Sequence, residues 1–209
     1  MNTIKSAFNK INDYIINLLL RRNKFRDINK ITTHLTIQEK YLLYKLSSKT
    51  TGIFVEIGSY IGASSCFISE GILTSKKQSK LYCIDTWENQ AMTEGLKETY
   101  NQFISNTKQY KNIIIPIKDF SYNAIKYFIE NNIKIDFLFI DGDHSYEGVK
   151  KDWDLYSPLL KPNSIVLFHD IGWAKGVERV INEEVKRNLK KHGSLPNLFW
   201  GWIKKVKIN

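Results

Sequence analysis

The segment with the clearest chemical character is 54–65, an apolar run that passes through Glu56, Gly58, Tyr60 and Gly62. The apolar residues before the turn predict a strand, and the residues after Gly62 predict a helix. Glycines in such a turn let the backbone approach a ligand closely, while the N–H groups that open the helix point towards it. The spacing matches neither the dinucleotide fingerprint nor the phosphate-binding P-loop, so both of these sites are excluded.

Four further apolar runs also end in acids or imidazoles. If these runs are parallel strands of one sheet, their carboxyl ends lie along the edge where open α/β sheets bind ligands. Solvation alone does not explain charged groups at so many strand ends on one edge. The residues concerned are Asp85 and Trp87, Asp119 and Ser121, Asp141, Asp143 and His144, and His169 and Asp170.

The elements that would position these residues alternate from residue 52 onwards between short apolar runs and longer helical stretches. Near-continuous apolar strands separated by helices predict an α/β fold, with a doubly wound, mostly parallel sheet covered on both faces. The predicted strands are Ile53–Ile57, Lys80–Ile84, Asn112–Ile117, Ile135–Ile140 and Ser164–Phe168.

Helical periodicity predicts the remaining elements, and we expect one domain over 1–209, with an N-terminal helical cap at 1–48 and an α/β core at 49–209. A final strand or hairpin is predicted over Leu198–Val206. The predicted helices are Thr36–Ser48, the segment after Gly62, Glu94–Asn106, Tyr122–Asn131, Tyr146–Leu160 and Gly176–Lys191.

Two of the strand-end positions allow two interpretations each. Asp85 is placed to accept hydrogen bonds from both ribose hydroxyls of a nucleoside-like cofactor, or to cap the helix that follows. Asp119 and Ser121 could read the edge of an adenine, or could likewise cap a helix. The residue types alone leave both pairs of alternatives open.

Two motifs carry a resemblance to a known family. The segment Glu56–Ser64 resembles the first motif of catechol-type class I O-methyltransferases that use S-adenosylmethionine (SAM), which carry tyrosine at its centre. The block Phe137–Val149, together with Phe168-His169-Asp170, resembles a bacterial subfamily that includes macrolide-sugar O-methyltransferases. The resemblance covers about residues 36–175 and implies a Rossmann-like class I methyltransferase fold.

The resemblance also implies roles for the matching positions. SAM would be the cofactor, and the acceptor would be a hydroxyl of a sugar or a glycosylated small molecule. Asp141, His169 and Asp170 would hold a divalent metal, and His144 would be the general base. The positions implied to bind SAM are Glu56, Gly58, Ser59, Tyr60, Gly62 and Ser64 for its methionine and ribose parts, Asp85 for the ribose hydroxyls, and Trp87, Asp119 and Ser121 near the adenine.

This chain departs from the catechol-type pattern at the positions implied to bind the metal. Those members follow the fifth strand with an acid and an amide, which suit Mg²⁺, whereas this chain offers His169 and Asp170. An imidazole suits Mn²⁺, Zn²⁺ or Fe²⁺ better, and a site without metal is the other interpretation. Asp143 could replace His169 as an oxygen ligand. His144 has an alternative too, as a loop residue before a helix opened by Ser145.

The charge of the chain raises a rival function. The formal net charge is +10, of which residues 1–50 carry +7 and residues 176–209 carry +5, so the middle is slightly acidic. Basic ends could face nucleic acid, anionic lipid or an acidic glycan, or could reflect a lysine-rich composition alone. Nucleic-acid methyltransferases are the nearest alternative, but base methylation usually needs adjacent prolines, which Pro116, Pro158, Pro162 and Pro196 do not provide. We therefore expect no nucleic-acid partner.

The N-terminal segment has an apolar stripe at helical spacing, formed by Ile4, Phe8, Ile11, Ile15 and Leu18 and followed by Arg21, Arg22, Lys24 and Arg26. Such a stripe packs on the protein's own core or on a twin subunit in a homodimer, or lies on an anionic membrane. A non-catalytic, membrane-associated SAM-binding module is thus a further alternative. No signal peptide is recognisable, and the two cysteines suit a reducing compartment, so we expect a cytoplasmic protein.

Overall fold

The computed structural model describes residues 13–20, 23–88 and 98–204. Seven strands form a single sheet in these residues, namely β1 Ile53–Ile57, β2 Lys80–Asp85, β3 Ile114–Lys118, β4 Ile135–Ile140, β5 Leu160–His169, β6 Leu189–Ser194 and β7 Leu198–Ile203. Their order across the sheet is β3-β2-β1-β4-β5-β7-β6. The first five strands are parallel, and β7 and β6 add an antiparallel hairpin at one edge. The predicted α/β, mostly parallel sheet is confirmed.

Helices cover both faces of this sheet. The described residues also form five short helical segments, at Ile28–Lys30, Lys108–Tyr110, Ser157–Leu159, Ile181–Val185 and Lys186–Asn188. The α-helices are α1 over 13–20, α2 Asn23–Arg26, α3 Ile37–Ser47, α4 Ala63–Ser75, α5 Tyr100–Thr107, α6 Ser121–Glu130, α7 Tyr146–Tyr156 and α8 Lys175–Val180.

Alternate residues of each central strand enter two separate hydrophobic cores. On β4, Phe137 and Phe139 pack with helices α1, α3 and α4, while Leu138 and Ile140 pack with α6, α7 and α8. All four side chains are essentially buried, and full burial of such a side chain stabilises the fold by roughly 1.5–3 kcal/mol. A strand buried on both faces reads as a continuous apolar run, which is why the sequence located β1 and β4 correctly.

The strand order reverses between β1 and β4, and this junction opens the crevice where sheets of this type bind ligands. Gly58 follows β1 at φ +85, and a Cβ at this position would lie 2.0 Å from the carbonyl oxygen of Asp141, which follows β4. Only glycine therefore lets the two strand ends come together. This close approach places the glycine turn beside the acids after β4.

The segment after Trp173 differs from the prediction of one long helix over Gly176–Lys191. The α-helix ends at Val180, continues as a π-helical turn over Ile181–Val185 and a 3₁₀ turn over Lys186–Asn188, and is followed by β6. Leu189 leaves the helix because it pairs with Ile203 of β7 and is buried there. The lysines of β6 lie on the exposed edge of the sheet, where they oppose pairing with another chain.

The N-terminal helix α1 packs through a different face from the predicted one. Ile16 and Leu20 are buried, whereas Ile15 and Leu18 of the predicted stripe remain about half exposed. The other three stripe residues, Ile4, Phe8 and Ile11, lie outside the described residues. Among the helices that the structure describes, none is long and apolar enough to cross a membrane.

Candidate active site

The turn after β1 is wound by three residues in the left-handed region, Gly58 at φ +85, Tyr60 at φ +45 and Gly62 at φ +88. A tyrosine in this region is strained, and such strain persists only where neighbours hold it, commonly at functional sites. Here Asp85 at the end of β2 holds it, because Oδ2 of Asp85 accepts the Tyr60 N–H at 2.8 Å. The indole N–H of Trp87 donates to the Tyr60 carbonyl at 2.7 Å and fixes the turn from the other side.

Asp85 is the residue around which this half of the crevice is organised. Its Oδ1 accepts the backbone N–H of Trp87 at 2.7 Å, so each carboxylate oxygen already holds one N–H. Burial raises the pKa of Asp85, and these backbone bonds partly oppose that effect. The backbone N–H groups of Ser59 and Thr86 also hydrogen-bond to this carboxylate, so a ribose hydroxyl that reached Asp85 would share its oxygens with the backbone.

Glu56 lies beneath the turn and is fully enclosed. Its Oε2 accepts hydrogen bonds from the hydroxyls of Ser59, at 2.9 Å, and Ser65. Its Oε1 has no hydrogen-bond partner in the described part of the chain, and burial raises the pKa of this carboxyl. Glu56 therefore supports the turn from inside, and Ser64 at the start of α4 is also buried.

The three residues expected near an adenine differ in how exposed their side chains are. Trp87 is fully buried, with its ring packed against Tyr100 at 4.9 Å between centroids. The Ser121 hydroxyl is half-buried and donates to Asp152 of α7. Asp119 is exposed, and its Oδ1 accepts the backbone N–H of the following residue at 2.7 Å. Of these three expected positions, Asp119 alone presents an exposed side chain.

The ends of β4 and β5 bring acids and imidazoles into direct contact. Nε2 of His144 lies 2.8 Å from Oδ2 of Asp170. Asp141, His144 and Asp170 each offer one ligand atom, and these three atoms lie within 4.8 Å of one another. Two carboxylates and one imidazole at this spacing could hold a divalent cation.

His169 is buried beside this candidate cation group and is not one of its members. It is 4% exposed, and its Nδ1 is 3.2 Å from both Oδ1 of Asp141 and Oδ1 of Asp170. Burial opposes its ionisation, but the charge of Asp141 and hydrogen bonds to the surrounding acids raise the pKa of His169 to about 12. His169 is thus a buried imidazolium that joins the two acids. The candidate cation group contains His144 where the sequence predicted His169.

The electrostatics of the cluster follow from these contacts. The hydrogen bond to Asp170 raises the pKa of His144. Burial opposes the ionisation of Asp170, but hydrogen bonds from His144 and His169 hold its pKa well below its usual range. Burial raises the pKa of Asp141, and the charge of His169 and its hydrogen bond to Asp141 oppose that effect.

Sequence reasoning missed one member of the cluster, Glu39 of α3. This carboxylate is 1% exposed, and its Oε2 lies 3.6 Å from Nε2 of His169. Burial opposes its ionisation, yet hydrogen bonds from His169 and Thr36 lower the pKa of Glu39. The only signal in the sequence was a capping box between Thr36 and Glu39, which the structure contains but which marks a helix start and not a site.

Comparison with known proteins places the site in a family. Residues 55–171, more than half of the chain, match the model of a methyltransferase domain. The chain belongs to this methyltransferase domain family. The matched region of the methyltransferase domain runs from β1 through the glycine turn to the residues directly after β5, so it includes both halves of the crevice but not Glu39.

The chain also resembles two uncharacterized proteins over part of its length. The chain is 29% identical over 137 residues to an uncharacterized protein of Acanthamoeba polyphaga mimivirus, covering 63% of this chain and 58% of that protein. It is 26% identical over 117 residues to an uncharacterized protein of Sinorhizobium fredii, covering 56% of this chain but only 13% of that protein. The chain thus spans less than two thirds of the length of either relative.

Two solved structures share the fold of the methyltransferase domain. An O-methyltransferase from Bacillus cereus in complex with S-adenosylhomocysteine (SAH) aligns at a TM-score of 0.62 and 13% identity, over 90% of both chains. A TDP-rhamnose 3'-O-methyltransferase of calicheamicin biosynthesis aligns at 0.61 and 16% identity, over 90% of this chain and 83% of that one. At these identities the likeness establishes the fold, in agreement with the sequence prediction of a class I methyltransferase architecture.

Proposed function

We propose that this protein is a SAM-dependent O-methyltransferase that acts on a hydroxyl of a sugar or a glycosylated small molecule. The observation that carries the proposal is the His144–Asp170 pair, at 2.8 Å, on the same sheet edge as the strained glycine turn. A cofactor-binding turn and an acid-supported imidazole at one crevice are the two parts that O-methylation requires. Membership of the methyltransferase domain family supports the same conclusion.

The cofactor fits the residues present. SAM, when bound, supplies a methyl group on a sulfonium that is already activated for displacement. The half-buried Asp85 carboxylate ends β2 beside the glycine turn, whose Tyr60 N–H it accepts, and in this proposal it also accepts the ribose hydroxyls. The acids at the ends of β4 and β5 complement the positive charge of the sulfonium.

His144 serves as the general base in this proposal. Asp170 accepts a hydrogen bond from Nε2–H of His144, so Nδ1 is the nitrogen that is left to take the proton of the acceptor hydroxyl. Once the proton is on Nδ1, His144 is an imidazolium and the acceptor oxygen would be ready to take the methyl group that SAM supplies. Asp170 stabilises that imidazolium and orients the ring.

A divalent metal is an alternative to the base role of His144 at the same cluster, because an ion bound to a ring nitrogen of His144 would either replace its hydrogen bond to Asp170 or occupy the nitrogen that takes the proton. The donor atoms that fit it are those of Asp141, His144 and Asp170, and one imidazole with two carboxylates suits Mn²⁺ better than Mg²⁺. An ion held there would orient an acceptor hydroxyl and lower its pKa. His169 is already engaged through Nδ1 with both acids, so it acts as their buried partner in this arrangement.

The proposal is tested first by calorimetry of SAM and SAH, then by transfer of labelled methyl from SAM to TDP-rhamnose, methyl glycosides and phenols. We expect micromolar cofactor binding and transfer to a sugar hydroxyl. His144→Ala should lower turnover by about 10²-fold or more with SAM affinity retained. His34→Ala, which removes an exposed imidazole, is the matched control. Absence of SAM binding, or equal turnover in the two variants, would contradict the proposal.

A further inference from the structure

Trp173, in the turn after β5, carries the most exposed indole among the described residues. Its exposed fraction is 61%, whereas Trp87 and Trp153 are buried and the other two tryptophans are half-buried. Tryptophan is highly buried on average, so an indole left in water is informative. Its ring centroid lies 4.9 Å from that of His144, with 58° between the ring planes. The exposed indole therefore stands directly beside the proposed base.

The indole is also held in place before any ligand binds. Its Nε1–H donates to Oδ1 of Asp170 at 2.7 Å. Asn197 supports the same turn twice, since its Nδ2 donates to Asp170 Oδ1 at 2.9 Å and its Oδ1 accepts the Gly172 N–H at 3.0 Å. A ring fixed in this way loses little conformational entropy when a ligand packs on it, which is the property of a preorganised binding surface.

We infer that Trp173 is the platform on which the ring of the acceptor lies while its hydroxyl meets His144, and that this ring is a pyranose. This inference rests on the proposed function and names the acceptor subsite within it. A sugar ring has a face of C–H groups, which pack on the negative face of an indole, and hydroxyls around its edge. Any acceptor that reaches His144 must lie next to the indole, because the two rings are in contact.

The openness of the platform is what favours a sugar over an arene. A flat aromatic acceptor is best held between apolar walls that cover both of its faces. Trp173 offers one exposed surface, and on the same sheet edge the Asp141 carboxylate is partly exposed and Asp143 is exposed, whereas Asp170 is buried. Carboxylates accept hydrogen bonds from the several hydroxyls of a pyranose, which remains partly hydrated while bound.

Two substitutions distinguish the contribution of the aromatic ring of Trp173 from that of its hydrogen bond to Asp170. Trp173→Phe keeps a ring but loses the N–H that holds Asp170, and Trp173→Ala loses both. The SAH-loaded enzyme and each variant are titrated with methyl α-L-rhamnopyranoside and, separately, with catechol, and binding is followed by saturation-transfer NMR. Calorimetry with SAH and thermal unfolding are measured on the same samples.

We expect the glycoside to bind the wild-type enzyme, its Kd to rise about tenfold in Trp173→Ala and to stay within about threefold in Trp173→Phe. SAH affinity should be equal in all three proteins. The platform is overturned if the glycoside fails to bind the SAH-loaded wild type, if Trp173→Ala leaves its Kd unchanged, or if Phe and Ala weaken it equally. Binding of catechol alone overturns the pyranose assignment. Failure of SAH to bind the wild-type protein would instead contradict the proposed function.

Discussion

Oε2 of Glu39 lies 3.6 Å from Nε2 of His169, so a helix that precedes the first strand reaches the centre of the acid–imidazole cluster. Helix α3 is outside the region that matches the family, yet it supplies one of the three acids around this buried imidazolium. The position of His169 fixes both Asp141 and Asp170. The N-terminal part of the chain is therefore a component of the site and not only a cover for the sheet.

Glu39→Gln should lower the pKa of His169, because the imidazolium loses one of the charges that stabilise it. Glutamine is also accepted at this position of a capping box, so helix α3 should keep its start. The measurement is the pH titration of the His169 ring nitrogens by ¹⁵N NMR, together with methyl-transfer turnover, which we expect to fall about tenfold. Thr36→Ala is the control, since it removes the hydroxyl that caps α3 and keeps the carboxylate. Identical titrations of His169 in the two variants would contradict the role assigned to Glu39.

Asp85→Ala should weaken SAM binding by tenfold to about a hundredfold. Hydrogen bonds to a charged group contribute roughly 1.5–3 kcal/mol, and Asp85 also holds the strained Tyr60 backbone. Calorimetric titration with SAM measures the loss. Asp154→Ala removes an exposed carboxylate of α7 and should bind SAM like the wild type. An unchanged Kd in Asp85→Ala would show that the ribose lies elsewhere.

Gly58→Ala should destabilise the protein by more than about 3 kcal/mol, because it combines a left-handed backbone with a Cβ only 2.0 Å from the carbonyl oxygen of Asp141. Gly142→Ala is matched in place and size, but its Cβ would lie 3.4 Å from Ile57, which is an ordinary contact. We expect Gly142→Ala to stay within about 1 kcal/mol of the wild type in urea unfolding. Equal stability of the two variants would refute the steric account of the β1–β4 junction.

Asp152→Asn should change how stability depends on pH. Burial raises the pKa of Asp152 from 3.8 to about 6, so its contribution to stability is full below about pH 4 and is lost as the pH rises through about 6. The whole shift corresponds to about 3 kcal/mol, of which the wild type should lose roughly half between pH 5 and pH 8, while the asparagine variant loses none of it. Urea unfolding at about pH 5 and about pH 8 measures the difference. Asp154→Asn, which changes an exposed carboxylate, is the control. If the stability of Asp152→Asn changed between the two pH values as much as that of the wild type, this explanation would be excluded.

Removal of two acids should abolish binding of a divalent ion. We expect the wild type to bind Mn²⁺ in calorimetry, EDTA to reverse the binding, and the double variant Asp141→Asn, Asp170→Asn to show none, because both oxygen donors of the group are lost. Asp143→Asn is the control, because this exposed acid of the same loop lies outside the group. Loss of Mn²⁺ binding in Asp143→Asn would show that the ion uses different ligands.

The strands were predictable because their signals are local. Buried parallel strands are continuous apolar runs, and β1 and β4 begin and end where the sequence placed them. The segment over Gly176–Lys191 was mispredicted as one helix, since its polar residues suit a helix locally. Its last residues form β6 because β7 supplies a pairing partner, which no local pattern encodes.

The sequence by itself determined which residues stand at the carboxyl ends of the strands, because strand ends and glycine turns depend on neighbouring residues. It thereby placed Asp85, Asp141, His144, His169 and Asp170 on one edge. Only the tertiary structure decided their pairing: His144 bonds Asp170, His169 is enclosed between acids, and Glu39 joins them from an N-terminal helix. These relationships depend on distances of a few ångströms between segments far apart in the chain, and on burial that sets each charge. Packing of the helices on the sheet, and not the local sequence, fixes both.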